Sequence, residues 1–217
     1  MFICVNAKRD GFKTSKFYLP MKRIAFFIVK LLLSIIVAFA LAAGATWYAM
    51  RPNEYGGQIK NGEWTTDLTT GSNSAGLYQR ARVAIYGLWA MSSSETIYFV
   101  ANTDADGNAL VGNCIYKIES AEPDARWWSL TVYKNFHLIP NERKVYSFSQ
   151  TSIEREPDNS WRVFLSPEQQ AKNWLPSGDG DAAGDFKLVF RAYNPGANFA
   201  AQAATIKLPK IIKEKCR

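Results

Sequence analysis

Two stretches of the sequence decide the class of fold: WWSLTVY at residues 127–133 and FKLVFRAY at residues 186–193. In both, large apolar side chains alternate with other, mostly polar, ones. Successive side chains of a β-strand point to opposite faces of the sheet, so this period of two predicts strands with one buried and one solvent-facing side. The predicted inner faces consist of Trp128, Leu130 and Val132 in the first strand and of Phe186, Leu188, Phe190 and Ala192 in the second.

Shorter segments with the same alternation extend this pattern through the second half of the chain. We predict further strands at residues 96–100, 114–118, 145–148, 161–165 and 205–208. Turn-forming residues separate several of them, as in DADGN at 104–108, PDN at 157–159 and GDG at 178–180. Strands of this number and spacing, without repeated strand-helix-strand units, predict a mainly β fold, an antiparallel β-sandwich or a jelly-roll-like domain.

One short helix is predicted before the strands. Leu77, Ala81, Ala84, Ile85 and Leu88 recur at the spacing of one helical face, which indicates a helix over residues 75–90. Asn73 or Ser74 is the expected N-cap. The residues before it, 51–74, are rich in Gly, Asn, Thr and Ser and are interpreted as a linker. The predicted β-sandwich domain, with its leading helix, therefore spans residues 75–217.

A membrane segment precedes the linker. Residues 31–50 carry no charge, and the apolar segment extends back to Ile24 with Lys30 as its one interruption. Twenty helical residues at about 1.5 Å each cover the roughly 30 Å hydrocarbon core of a bilayer. We therefore predict a transmembrane signal-anchor helix over residues 24–50. A cleavable signal peptide remains an alternative, because small residues at 38–45 have cleavage spacing, and Met21 is an alternative start.

The formal net charge of +7 is concentrated at the N-terminus. Residues 1–30 contain seven Lys or Arg and one Asp, whereas the remaining residues contain 19 basic and 18 acidic groups. A domain so evenly charged lacks the basic surface that nucleic-acid binding requires, so we expect no nucleic-acid partner. Basic flanks stay in the cytoplasm, so residues 1–23 are predicted to be a cytoplasmic tail and the chain from Arg51 onward to be exported.

The three cysteines leave two alternatives open. Cys4 would lie in the cytoplasm, and Cys114 and Cys216 would lie in an oxidising compartment where they could form a disulfide. The interpretation we favour from the sequence is that Cys114 is a small buried residue and Cys216 a free exposed one, because nothing in the sequence brings the C-terminus close to Cys114.

Several motifs together resemble domain-of-unknown-function family 1214: WSLTVY at 128–133, IPN at 139–141, NWLP at 173–176, and a closing group of Phe186, Arg191, Tyr193 and Pro195. The resemblance implies a β-sandwich found mostly in bacterial proteins, often fused to a family 1254 domain or adjacent to one, and it implies no established activity. On this basis we expect a single-pass protein of the bacterial inner membrane, with its N-terminus in the cytoplasm and its main domain in the periplasm. A family 1254 protein is the expected partner. The chain itself departs from the longer members in having no family 1254 half.

Sequence signatures of catalysis are absent. There is no G-x-S-x-G, no H-E-x-x-H and no glycine-rich phosphate loop with lysine. The single histidine, His137, lies near a predicted turn and is interpreted as structural. NTDADGN at 102–108 has the oxygen spacing of a calcium loop but lacks the Asp of its first position and the Glu of its twelfth, so an ordinary hairpin turn is favoured. We assign no catalytic residue, metal ligand or cofactor.

Five residues are the candidates for a binding surface: Trp127, Asn173, Trp174, Arg191 and Tyr193. Trp127 and Trp128 must face opposite sides of their strand, so one of them is available for a surface site where a flat ring can pack on a sugar or a partner. Arg191 and Tyr193 share a strand face, and Asn173 and Trp174 lie in a predicted loop. The structural alternative makes Trp174 a cover over the end of the sandwich and Arg191 an ion-pair partner of an acid such as Asp185.

Two hypotheses for the function follow. The first is a membrane-anchored envelope protein whose exported domain is a binding or interaction module. The alternative is a carbohydrate-active envelope hydrolase with carboxylates scattered in the sequence, for which Glu95, Glu119, Glu122 and Asp124 are available. The anchor, the balanced charge and the missing signatures favour the binding module.

Overall fold

The computed structural model describes residues 21–50, 58–85, 89–134, 137–178 and 186–217. It divides into two units, one ending at Ala49 and the other beginning at Met50. The strands of the second unit are mostly antiparallel and form two sheets, which confirms the predicted fold class. Each unit is described by itself below.

The first unit contains helix α1, Met21–Ala49. Its 29 residues extend for about 44 Å. Its most apolar window has a mean hydropathy of 2.8, so the helix is long and apolar enough to cross a membrane. Two of its polar side chains have contacts within the helix: Ser34 Oγ donates to the Lys30 carbonyl at 2.8 Å, and Lys30 Nζ lies 4.4 Å from the centre of the Phe26 ring.

The described residues of the second unit form one short helix and eleven strands. Helix α2 is Leu77–Ile85. The strands are β1 Gln58–Asn61, β2 Trp64–Asp67, β3 Thr96–Ala101, β4 Cys114–Ser120, β5 Ala125–Lys134, β6 His137–Leu138, β7 Ser147–Ser149, β8 Trp161–Ser166, β9 Trp174–Pro176, β10 Phe186–Pro195 and β11 Lys210–Cys216. One sheet has the order β1-β2-β3-β10-β5-β6, with β7 also paired to β5, and the other has the order β11-β4-β8-β9. Only the β8–β9 pair is parallel among these.

The inner faces of the two sheets form one hydrophobic core. Trp128 of β5 stacks on Trp161 of β8 with ring centres 4.4 Å apart, so this pair joins the two sheets directly. Phe190 of β10 lies 6.0 Å from Trp128, and Trp64 of β2 lies 6.2 Å from Phe190. The alternation read from WWSLTVY and FKLVFRAY therefore places the expected apolar side chains in the core.

The interpretation of residues 51–74 as a linker does not hold for residues 58–67. Strands β1 and β2 pair with each other, and β2 pairs with β3 at the edge of the larger sheet. Trp64 is only 1% exposed, and its Nε1 donates to the Pro209 carbonyl at 2.6 Å. Strands of four residues with mostly polar side chains are too short for an alternation of apolar and polar residues to be recognised in the sequence. The burial of Trp64 in the structure is what identifies this segment as part of the domain.

The end of the chain also differs from the prediction. Residues 205–208 are not a strand, because the amides of Thr205 and Ile206 both donate to the Gln202 carbonyl and close a turn. The last strand is instead β11, which pairs with β4. The predicted strand at 145–148 shifts to Ser147–Ser149, and the predicted helix at 75–90 shortens to Leu77–Ile85. Residues 86–88 of that predicted helix and 179–180 of the predicted turn lie outside the described residues.

Cys114 and Cys216 form a disulfide, so the interpretation that they remain apart is wrong. Strand β11 runs antiparallel along β4, and the final pair of that register is Cys216 with Cys114. The C-terminus is thus brought to Cys114 by backbone pairing between segments 102 residues apart, which no local sequence pattern discloses.

Loss of this disulfide is expected to lower the free energy of unfolding by about 2–4 kcal/mol, because the bond closes a long loop in the unfolded chain. The variant Cys114→Ala/Cys216→Ala of the full chain in detergent, compared with the wild type in urea by tryptophan fluorescence, measures this difference. Cys4→Ala is the matched control and should leave the midpoint unchanged. Equal stability of the double variant and the wild type would contradict the prediction.

The buried phenol of Tyr116 leads us to expect a loss of stability at alkaline pH. Burial raises the pKa of its phenol above the ordinary value of 10.0, Asp104 raises it further, and the hydrogen bond from the Val111 amide, at 3.0 Å, works in the opposite direction. The folded state therefore favours the neutral phenol. This preference contributes fully to the free energy of unfolding below about pH 10, and the contribution is lost as the pH rises through the raised pKa.

The variant Tyr116→Phe tests this dependence. At neutral pH it should be less stable than the wild type by about 1 kcal/mol, because the Val111 amide loses its acceptor. Above about pH 10 the difference between the two proteins should shrink, because only the wild type has to keep this phenol protonated. A stability difference that is constant between neutral and alkaline pH would refute the assignment to Tyr116.

Candidate functional site

The outer face of the larger sheet brings together side chains from three strands. Strand β10 lies between β3 and β5, with Arg191 opposite Tyr98 on one side and opposite Ser129 on the other. Tyr193 is likewise opposite Trp127 of β5. Since every second side chain of a strand shares a face, this register gathers one group that we call the aromatic–arginine face. It consists of Tyr98, Trp127, Tyr133, Arg191 and Tyr193.

Arg191 is held at the centre of this face. Its Nη1 donates to Thr131 Oγ1 at 3.0 Å, and its Nη2 donates to the Tyr133 hydroxyl at 2.9 Å. Its Cζ lies 6.0 Å from the centre of the Tyr98 ring and 5.8 Å from that of Tyr133, which is the distance of cation–π contacts. Two of the five guanidinium N–H groups are used in these bonds, so donors remain for a ligand.

The charge of Arg191 has no ion-pair partner within the part of the chain that the structure describes. Asp185, the acid considered for it from the sequence, lies outside the described residues. The hydroxyls of Thr131 and Tyr133 orient the guanidinium without neutralising it. Arg191 is therefore positioned as a fixed positive charge at the solvent-facing side of the sheet.

Trp127 and Tyr193 form the second part of the face. Their ring centres are 5.0 Å apart and their planes are inclined by 58°. Both side chains are half-buried, whereas the neighbouring Trp128 is fully buried in the core. The pair presents an aromatic surface on the same strands that carry Arg191.

Asn173 and Trp174 lie elsewhere, on the smaller sheet, so the structure does not bring all five candidate residues together. Asn173 is 8% exposed, has a positive φ of 42° and uses its side chain for structure. Its Nδ2 donates to the carbonyls of Glu154 and Arg162 at 2.7 and 2.8 Å, and its Oδ1 accepts from the Glu154 amide at 2.9 Å. These bonds connect the loop before β8 to β8 itself.

Trp174 borders a separate, shallow depression of about 150 Å³. Its Nε1 donates to the Ser166 carbonyl at 2.9 Å, and its ring lies 5.6 Å from Cζ of Arg143. Glu154 and Lys172 also line the depression. This volume lies below the roughly 300–1,000 Å³ that is typical of ligand pockets, so the depression is the weaker of the two candidate sites.

Three of the acids considered for other chemistry, Asp104, Glu119 and Glu122, have structural partners. Asp104 is buried, and its Oδ1 accepts from the amides of Asp106 and Asn108 at 3.1 and 2.8 Å, which closes the turn that resembled a calcium loop. Glu122 accepts from Trp128 Nε1 at 2.9 Å and pairs with Arg155. Glu119 pairs with Lys117 at 3.2 Å and lies 3.7 Å from Arg162.

Sequence reasoning missed two members of the aromatic–arginine face, Tyr98 and Tyr133. Both occupy outward positions in strands that the alternation predicts, so the direction of their side chains could be predicted from the sequence. Their proximity to Arg191 could not be predicted, because it depends on β10 lying between β3 and β5.

Residues 95–197 match the model of the family described as a protein of unknown function, DUF1214. This segment belongs to the DUF1214 family. The resemblance seen in the sequence motifs is confirmed. The DUF1214 segment contains the whole aromatic–arginine face, whereas β1, β2 and α2 precede it and β11 follows it. A search of the curated proteins finds no match to the chain.

Two solved structures are similar to the chain. The VPA0106 protein from Vibrio parahaemolyticus has a TM-score of 0.52 and 21% sequence identity, over 65% of this chain and 36% of that one. A putative uncharacterized protein from Burkholderia cenocepacia has a TM-score of 0.37 and 17% identity, over 57% of this chain and 30% of that one. The chain thus spans about a third of the length of each. At this identity the Vibrio structure supports the fold alone.

Proposed function

We propose that this is a membrane-anchored envelope protein whose exported β-sandwich domain is a binding module, with the aromatic–arginine face as its binding surface. The observation that carries the proposal is the Arg191 guanidinium, oriented by two hydroxyls, flanked by two tyrosine rings and left without an ion-pair partner among the described residues.

The location rests on three observations. Helix α1 has the length and hydropathy of a membrane span, and the basic residues of the chain before Ile24 favour a cytoplasmic N-terminus. The domain after Met50 contains a disulfide, which forms and persists in oxidising compartments such as the bacterial periplasm. These features support an uncleaved anchor in the bacterial inner membrane and a periplasmic domain.

The chemistry of the face favours a ring-bearing anionic ligand. Aromatic rings such as those of Trp127 and Tyr193 offer flat apolar surfaces, and a guanidinium binds carboxylate or phosphate through paired hydrogen bonds. An acidic carbohydrate of the cell envelope combines both properties. The alternative of a hydrolase gains no support from Glu119 and Glu122, because basic side chains hold both carboxylates.

A family 1254 protein is the macromolecular partner that we propose beside this ligand. Purification of the tagged full-length protein from its native membranes in mild detergent, followed by mass spectrometry, tests this part. A family 1254 protein recovered at near-equal amount would support it. Recovery of the intact chain without any stoichiometric protein would count against it and leave the carbohydrate ligand to be tested separately.

Ligand binding is predicted to depend on Arg191. The probes are soluble peptidoglycan fragments and the core oligosaccharide of lipopolysaccharide, titrated by calorimetry against the full chain in nanodiscs. We expect at least one probe to bind the wild type, and Arg191→Gln to weaken that binding by about 10- to 150-fold, because a hydrogen bond to a charged group is lost.

Arg126→Gln is the matched control, because Arg126 is exposed on β5 but does not belong to the aromatic–arginine face. It removes the same charge and should change the affinity by less than twofold. A melting temperature of Arg191→Gln close to that of the wild type would exclude unfolding as the cause of weaker binding. Absence of binding to both probes, or equal losses in the two variants, would contradict the proposed surface.

The proposed topology predicts distinct reactivities for the three cysteines. On intact spheroplasts a membrane-impermeant maleimide should label none of them, because Cys4 lies inside and the other two are joined. Treatment with reductant should make the exposed Cys216 reactive while Cys114 stays buried in the core, and only lysis should expose Cys4. Labelling of Cys4 before lysis would reverse the topology. A mature protein that lacks the Cys4 peptide would indicate either a start at Met21 or cleavage of a signal peptide. Labelling of a cysteine introduced into α1, such as Ser34→Cys, would distinguish the start at Met21 from cleavage of the signal peptide.

A further inference from the structure

Helix α2 presents its apolar side to solvent. Leu77 is 84% exposed and Ile85 is 70% exposed, and no residue of the helix is buried. Trp89, four residues beyond the end of the helix, is 99% exposed. The sequence pattern predicted this apolar face correctly, but the face is not packed on the β-sandwich. Apolar side chains grouped in this way mark a surface that another partner covers.

The arrangement of charges around this face is that of an interfacial helix. At about 100° per residue, the side chains of Leu77, Tyr78, Ala81, Ala84 and Ile85 fall within an arc of about 120°. Arg80 and Arg82 fall just outside the two edges of this arc, and the helix has no acidic residue. Apolar residues flanked by basic ones are typical of helices that lie at the surface of an anionic membrane.

The opposite side of α2 attaches the helix to the domain. Gln79 Nε2 donates to Thr70 Oγ1 at 2.8 Å, and Thr69 Oγ1 donates to Gln79 Oε1 at 3.3 Å. Gly71, with a φ of 75°, packs so closely on the Met91 backbone that a Cβ at this position would collide with the Met91 carbonyl. These contacts fix the helix with its apolar face outward.

The covalent chain limits how far the domain can be from a membrane that α1 spans. Gln58, where β1 begins, is nine residues after Ala49, where α1 ends. A fully extended chain covers at most roughly 3.6 Å per residue, so this separation is at most about 32 Å. A bilayer is therefore within reach of the domain at all times, whereas a soluble partner has to find it by diffusion.

We infer that α2 and Trp89 form a second membrane contact, which lies on the anionic phospholipid surface of the bilayer that α1 spans. The inference rests on the anchoring part of the proposed function. The apolar side chains enter the boundary between headgroups and acyl chains, and Tyr78 and Trp89 occupy the depth that aromatic residues favour. The exposed Arg80, whose guanidinium donates to the carbonyls of Asn73 and Ala75, lies beside phosphate groups. The contact restricts the orientation of the exported domain on the membrane.

The test uses the full chain with Cys4→Ser, reconstituted in vesicles of phosphatidylcholine and phosphatidylglycerol. The dye NBD, whose emission moves to shorter wavelength in apolar surroundings, is attached at one of three sites. Ile85→Cys reports on α2, Ser34→Cys reports on insertion of α1, and Lys210→Cys, exposed on β11, is the control on the domain. We expect a blue shift and quenching by doxyl-labelled lipid at positions 34 and 85, and neither effect at position 210.

The outcomes separate the two proposals. A shift at position 34 without one at position 85 would overturn the contact of α2 while leaving the anchor intact. Absence of a shift at position 34 would overturn the anchor and this inference with it. A shift at position 85 that occurs in native membranes but not in vesicles would assign the face to a protein partner. Replacement of Leu77 by Glu should abolish the shift at position 85, whereas Lys207→Glu should not.

Discussion

The stacked pair of Trp128 and Trp161 is the contact on which the rest of the domain depends. It joins the centre of the larger sheet to the smaller one at 4.4 Å between ring centres. Trp128 is also held at its edge by Glu122, which itself pairs with Arg155. Because a shift of one residue in a strand turns every side chain to the other face, fixing Trp128 inward also fixes Trp127 outward. The core therefore determines which side chains the aromatic–arginine face presents.

The sequence was most informative where a strand carries its own pattern. Strands β5 and β10 each have ten residues, and their alternation specified both the element and the inner side. Strands β1 and β2 have four residues each, too few for a period of two to be distinguished from a polar linker. The disulfide was beyond prediction for another reason: the register that joins Cys216 to Cys114 arises from the pairing of β11 with β4, and register is a property of two segments rather than of one.

The candidate site divides in the same way. Trp127, Arg191 and Tyr193 could be chosen from their outward positions alone, whereas Tyr98 and Tyr133 join them only through the order of β3, β10 and β5. Asn173 illustrates the opposite case. An Asn in a loop next to a tryptophan indicates a polar contact for a ligand, but here the amide completes backbone hydrogen bonds at a position with positive φ. Asparagine tolerates that conformation better than most residues, and sequence alone does not distinguish this role from binding.

Tyr98 connects the two surfaces proposed for this domain. Its ring lies beside the Arg191 guanidinium, and its hydroxyl accepts a hydrogen bond from the Met91 amide at 3.0 Å. Met91 in turn packs on Gly71, in the turn that Gln79 of α2 holds. A chain of direct contacts thus leads from α2 to the aromatic–arginine face. The face itself lies within the DUF1214 segment and α2 precedes it. The side chain of Tyr98 therefore joins the DUF1214 segment to an element that this chain places before it.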